Sequence, residues 1–332
     1  MSDGTCKGLG PDWVARASND GSFPSVDSSK EARVPQSSNP SANPDFSGLW
    51  IPLVTPFRGG AVDHTALSAL TRRLADDGVA GFVVCASTGE AAALDETEQL
   101  AALDTVQAAA GGLPIIMGLS GYHLGKTTAW VRRLAERPLA GLQVPAPHYI
   151  RPSQAGLLEW FRAIADASAA PVLVYDIPYR TGATIARETL LTLAEHPRIR
   201  GIKDCGGDMA KTRAVIADGR LQVLSGEDHQ IFSTVAEGGV GAIAASGHVQ
   251  TRRFVQVLRL LAENRLAEAR AEWQLLQPLI EMLFAEPNPG PLKALLAHSG
   301  SMMSDELRSP MTRAPDALRD RLVELNARLS RP

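Results

Sequence analysis

Lys203 closes the short apolar run Ile199-Arg200-Gly201-Ile202-Lys203, and Gly206 and Gly207 follow soon after. A strand that ends this way points one lysine into a sheltered cavity. There an ammonium is costly, its pKa falls, and the neutral amine becomes a nucleophile towards carbonyls. The plain alternative is a strand-end lysine whose amine reaches water. Tyr175 lies inside a second apolar run, Val172-Leu173-Val174-Tyr175. A phenol beside an amine can shuttle protons during imine formation; a core tyrosine with a satisfied hydroxyl has the same pattern.

Three further segments carry useful groups. Ser87-Thr88-Gly89-Glu90 is a polar turn after a buried run. Its hydroxyls and backbone N–H groups suit a small carboxylate, or simply a helix cap. Arg180 sits in the loop Ile177-Pro178-Tyr179-Arg180-Thr181-Gly182. A guanidinium there suits bidentate carboxylate recognition, and a solvated loop arginine is the alternative. Tyr149, in Pro147-His148-Tyr149-Ile150-Arg151-Pro152, is placed to reach the site of its own chain or of a neighbour. His148 reads as a polar rim residue, because no acidic orienter follows at short range.

These groups need a scaffold that gathers them. From residue 49 onward, apolar runs alternate with amphipathic helical stretches. The runs cover 49–57, 81–87, 114–119, 141–147, 171–178, 199–205, 221–226 and 241–246. Several are apolar throughout, as parallel strands buried on both faces must be. Eight strand–helix units predict a (β/α)8 TIM barrel over residues 47–266. The absence of GxGxxG weighs against a doubly wound sheet. Barrel enzymes place their chemistry at the carboxyl ends of the strands, and every group above falls at such an end. A C-terminal helical segment, 267–332, is expected to pack outside the barrel or to build a subunit contact.

Residues 1–46 are rich in Ser, Pro, Asn, Gly and Asp and lack periodicity, so a disordered extension is expected. Its acidic residues and missing apolar core argue against a signal or transit peptide. The chain has 332 residues, 45% hydrophobic and 21% charged, with a net charge of -3. That is a soluble composition with no basic stripe for nucleic acid and no run of roughly 18 apolar residues for a membrane. Cys6, Cys85 and Cys205 show no CxxC spacing, which fits a reduced, cytoplasmic protein. The seven histidines are scattered, so neither a metal nor a cofactor is expected.

Taken together, Ser87-Thr88-Gly89-Glu90, Tyr149-x-Arg151-Pro152, Tyr175-x-Ile177-Pro178-x-Arg180-Thr181-Gly182 and Gly201-Ile202-Lys203 resemble the dihydrodipicolinate synthase / N-acetylneuraminate lyase family. The likeness covers residues 47 to 332. It implies a class I aldolase-type enzyme in which Lys203 forms a Schiff base with pyruvate. Tyr175 would shuttle protons, with Ser87 and Tyr149 completing a relay. Thr88, Gly89 and Ile243 would contact substrate, and Arg180 would bind the carboxylate of the aldehyde. The resemblance also implies a homotetramer or homodimer in which Tyr149 crosses an interface. Glu286-Pro287-Asn288-Pro289 and Arg180 favour aspartate semialdehyde as second substrate. Ser87, His148, Asp176 and Asp204-Cys205-Gly206 depart from the synthase pattern, which leaves open an aldolase or dehydratase for sugar acids. A barrel that binds a 2-oxo acid without turnover is a further alternative.

Overall fold

The computed structural model describes residues 44–330. Eight parallel strands close into a ring: β1 (Gly48–Pro52), β2 (Gly81–Val84), β3 (Ile115–Gly118), β4 (Gly141–Pro145), β5 (Val172–Asp176), β6 (Ile199–Asp204), β7 (Gln222–Ser225) and β8 (Gly241–Ile243). β8 pairs with β1 through Gly48↔Gly241, which completes the barrel. Only glycine fits at 241, because a Cβ there would lie 2.1 Å from the Gly48 carbonyl oxygen. β2, β3 and β5 are buried at every residue, which is why they read as unbroken apolar runs. Helices such as His64–Asp76, Gln154–Ala167 and Thr251–Ala262 turn their buried residues onto the outer face of this ring.

The barrel interior is built in levels. Stagger in an eight-stranded barrel is about one residue per strand. Stepping through the strand registers with that climb links Val83, Met117, Gln143, Val174, Lys203, Ser225, Ile243 and Ile51, and then returns to Val83. Side chains alternate across a strand. One level inside the barrel is therefore Val83, Gln143, Lys203 and Ile243, from the even strands. The level above is Pro52, Gly118, Tyr175 and Gly226, from the odd strands. Its two glycines are required by close neighbours: a Cβ at Gly118 would lie 2.6 Å from the Cys85 carbonyl oxygen, and one at Gly226 2.7 Å from Lys203 Cγ.

Two levels below Lys203 each even strand carries a glycine: Gly81, Gly141, Gly201 and Gly241. Trp50 and Phe46 fill that space. A Cβ at Gly81 would meet the Trp50 ring at 2.4 Å, and one at Gly201 would approach Phe46 at 3.4 Å. The two rings meet edge to face at 6.0 Å, and Trp50 Nε1 donates to the Phe46 carbonyl at 2.9 Å. The Phe46 N–H donates to Gln222 Oε1. The packed chain thus begins before residue 47: the expected boundary at 46 is corrected, since Phe46 is fully buried. The rest of the expected extension, 1–43, lies outside the described residues.

His248 shows how tightly the β8 loop is held. It is fully buried. The Val54 N–H donates to its Nε2 at 3.1 Å, and its Nδ1 faces the Ala245 carbonyl at 2.8 Å. A carbonyl only accepts, so Nδ1 carries the proton and the ring is neutral. Burial pushes its pKa down to about 3. An unfolded histidine takes a proton near pH 6.5. The unfolded chain therefore binds more protons between these values, and stability falls as pH drops from about 6.5 towards 3, by up to about 1.4 kcal/mol per unit. Urea midpoints measured from pH 7 to 5 should fall less steeply in His248→Gln than in the parent; equal slopes would count against this assignment.

Candidate active site

β5 and β6 position the two central groups side by side, with Tyr175 registered to Lys203. Lys203 Nζ lies 4.4 Å from the Tyr175 ring centroid. Lys203 is only 5% exposed. Burial holds its amine below the ordinary lysine range, and Arg180 adds to this, against Cys205, Asp228 and Glu227. Burial also pushes the Tyr175 hydroxyl well above the usual phenol range, with Cys205 contributing. Both shifts favour the uncharged forms that amine addition and proton shuttling require. Gly226 makes room for the lysine stem: a Cβ there would stand 2.7 Å from Lys203 Cγ and 2.4 Å from Cys205 Sγ.

A cavity of about 370 Å³ is lined among others by Ser87, Gln143, Tyr175, Arg180 and Asn288; Lys203 sits one level below Tyr175 and is not itself a lining residue. Ser87 is exposed to it. Thr88 is buried, and its Oγ1 accepts from Asn288 Nδ2 at 2.9 Å. Gly89 serves the turn: its N–H donates to the Ala86 carbonyl at 3.0 Å and its carbonyl accepts from Thr55 Oγ1 at 2.7 Å. Its N–H is therefore committed within the loop and does not point at a ligand. Arg180 sits in the single turn Pro178–Thr181, with its guanidinium carbon 5.8 Å from the Tyr179 ring centroid. Ile243 is buried in the level of Lys203, below the cavity mouth.

Tyr149 stands apart. It is 90% exposed, adopts a left-handed φ of 74° and donates its N–H to the Thr181 carbonyl. Within one chain it does not join Tyr175 and Ser87. His148 lines the cavity and packs edge-on against Tyr122 at 5.6 Å.

The C-terminal segment does more than pack outside. Asn288, Pro289, Arg308 and Met311 form one wall of the cavity, a contribution beyond the expected packing outside the barrel or subunit contact. Its anchor is the ion pair between Lys293 Nζ and Glu90 Oε1 at 2.5 Å, with side chains 0% and 2% exposed. Glu90 also accepts from the Arg308 N–H, and Arg308 forms two hydrogen bonds with Glu98. Asp176 alternates away from Tyr175 and faces outward, where Lys211 Nζ meets it at 2.5 Å. Burial, ahead of the Lys211 charge, raises the Asp176 pKa. The Asp176 carboxyl is thus matched by a cation and does not line the cavity.

Comparison with known proteins follows the same outline. A profile described as "Dihydrodipicolinate synthetase family" matches residues 45–328. The chain belongs to this family. Among dihydrodipicolinate synthetase relatives, 4-hydroxy-tetrahydrodipicolinate synthase 2 of Clostridium acetobutylicum is 35% identical over 280 residues, covering 83% of this chain and 98% of the relative. The 4-hydroxy-tetrahydrodipicolinate synthase of Sorangium cellulosum is 37% identical over 290 residues, covering 86% and 96%. The crystal structure of dihydrodipicolinate synthase from Aquifex aeolicus superimposes with a TM-score of 0.83 at 28% identity, covering 86% of this chain and 98% of that one.

Proposed function

We propose that the protein is a 4-hydroxy-tetrahydrodipicolinate synthase, condensing pyruvate with aspartate semialdehyde in lysine and diaminopimelate biosynthesis. The observation that carries the reading is a buried Lys203 registered beside Tyr175, which lines the cavity, in a chain of this family.

Lys203 adds to the keto carbon of pyruvate, whose carboxylate lies at the Ser87–Thr88 turn. Tyr175 carries a proton to the departing oxygen, which leaves as water. The iminium draws electrons from the methyl group, a proton is lost, and an enamine forms. The enamine attacks the aldehyde carbon while Arg180 pairs with the aldehyde's carboxylate. Ser87 sits at the cavity wall beside Tyr175 and is suited to pass the proton on. Tyr149, turned outward in one chain, completes the relay from a second copy in a homodimer or homotetramer. None of the described helices is long and apolar enough to cross a membrane, and we place the enzyme in the cytoplasm.

With pyruvate and aspartate semialdehyde, the product mass should be that of the condensed, cyclised adduct. Arg180→Ala should raise KM for the aldehyde by about tenfold or more, the scale of one charged hydrogen bond. KM for pyruvate should change little. Equal rises in both would remove Arg180 from its role, and no product with this aldehyde would remove the substrate assignment.

A further inference from the structure

The level that holds Lys203 is otherwise apolar, with one exception. Val83 and Ile243 occupy two of its positions, and Trp50, Ile116, Leu173 and Leu224 form the level beneath. The fourth position is Gln143. It is 2% exposed and lines the cavity with Tyr175, and its Oε1 has no hydrogen-bond partner among the described residues. A buried acceptor left unmade costs about 1–3 kcal/mol, and an aliphatic side chain would fill this position without that cost. Gln143 is the neighbour of Lys203 within the level, two strands away, with Tyr175 one level higher on the strand between them. The amide therefore faces the space a carbonyl must enter to be attacked by Lys203.

We propose that Gln143 accepts a hydrogen bond from the C2 hydroxyl that forms as Lys203 adds to the 2-oxo acid, and so promotes that addition. The inference rests on the Schiff-base reading above. When the neutral amine adds, the Nζ–C2 bond forms and the C2–O π bond breaks. The oxygen gains the proton that the nitrogen releases, carried by Tyr175. The hydroxyl so formed donates to Gln143 Oε1. This bond exists in the adduct and on the way to it, not in the free protein, so it speeds addition rather than merely tightening binding.

The test is Gln143→Leu, measuring the rate at which borohydride traps pyruvate on Lys203 together with the melting temperature. The expected result is trapping slowed by about tenfold, the scale of one hydrogen bond left unmade, with melting unchanged or raised. Trapping at the parent rate would overturn the proposal, whatever the melting temperature. If the leucine variant does not fold, Gln143→Met keeps the length, removes both polar atoms and is judged by the same rates. Absence of any adduct in the parent protein would instead sink the Schiff-base reading itself, so the two failures are distinguishable.

Discussion

Lys203→Ala should lose turnover by about 10⁴-fold or more, as removal of a covalent nucleophile does, while keeping its fold. Chemistry needs this amine because no other described lysine stands inside the barrel: Lys126 is exposed on the helix Leu124–Leu134, and Lys211 and Lys293 are each committed to a buried carboxylate. Stability does not need it, because burial already opposes its charge. Its depressed pKa makes the folded chain bind fewer protons than the unfolded one between the two values. Lys203 therefore subtracts stability below the usual lysine range and stops doing so as pH rises through it. An apolar replacement removes that cost. Borohydride and pyruvate should add one stable mass to the parent and none to the variant, read by peptide mass spectrometry. Melting temperatures should agree within a few degrees. A variant that still accepts the mass would show that another group forms the imine.

The second large effect is structural. Lys293→Met should destabilise the protein by about 3–5 kcal/mol, the range for breaking a buried pair and stranding one charge. Here the stranded charge is Glu90, which immediately follows the Ser87-Thr88-Gly89 turn and itself has a left-handed φ of 53°. Lys293 also donates to the Glu306 carbonyl and lies 4.3 Å from the Phe57 ring centroid. Loss of the pair should loosen both the turn and the C-terminal wall, so activity should fall along with the denaturant midpoint. Adding Glu90→Gln should recover much of the stability, because the uncompensated charge is then gone. If the double variant were no more stable than Lys293→Met, stranding of charge would not be the cause.

Much of this architecture was legible in the chain. Parallel strands buried on both faces write themselves as apolar runs, so the eight units and the rim were readable. Lys203 and Tyr175 end such runs, which is where side chains meet a barrel's open end. Gln143 was hidden because its run, 141–147, reads only as one more buried strand. Which of its residues face inward depends on the stagger between strands, and pairing sets that, not the run itself. A repeated signal does exist: Gly81-x-Val83, Gly141-x-Gln143, Gly201-x-Lys203 and Gly241-x-Ile243 share one spacing. The cavity wall from Asn288 and Arg308 was unreadable for another reason. It depends on a chain returning across about 200 residues, as the Asn288–Thr88 contact does. The outward turn of Tyr149 depends on a left-handed backbone that no local residue type announces.

The plug of Phe46 and Trp50 has a kinetic consequence. With Phe46 and Trp50 filling the floor beneath Lys203, reactants approach the amine from the rim, where Tyr175 and Gln143 line the cavity. Whatever bonds to Lys203 must descend first, and whatever reacts with it must arrive on top. The chamber therefore behaves as a stack, last in and first out. An aldehyde that enters an empty cavity blocks pyruvate, so excess aldehyde should inhibit competitively against pyruvate, and product must clear the rim before the next cycle starts.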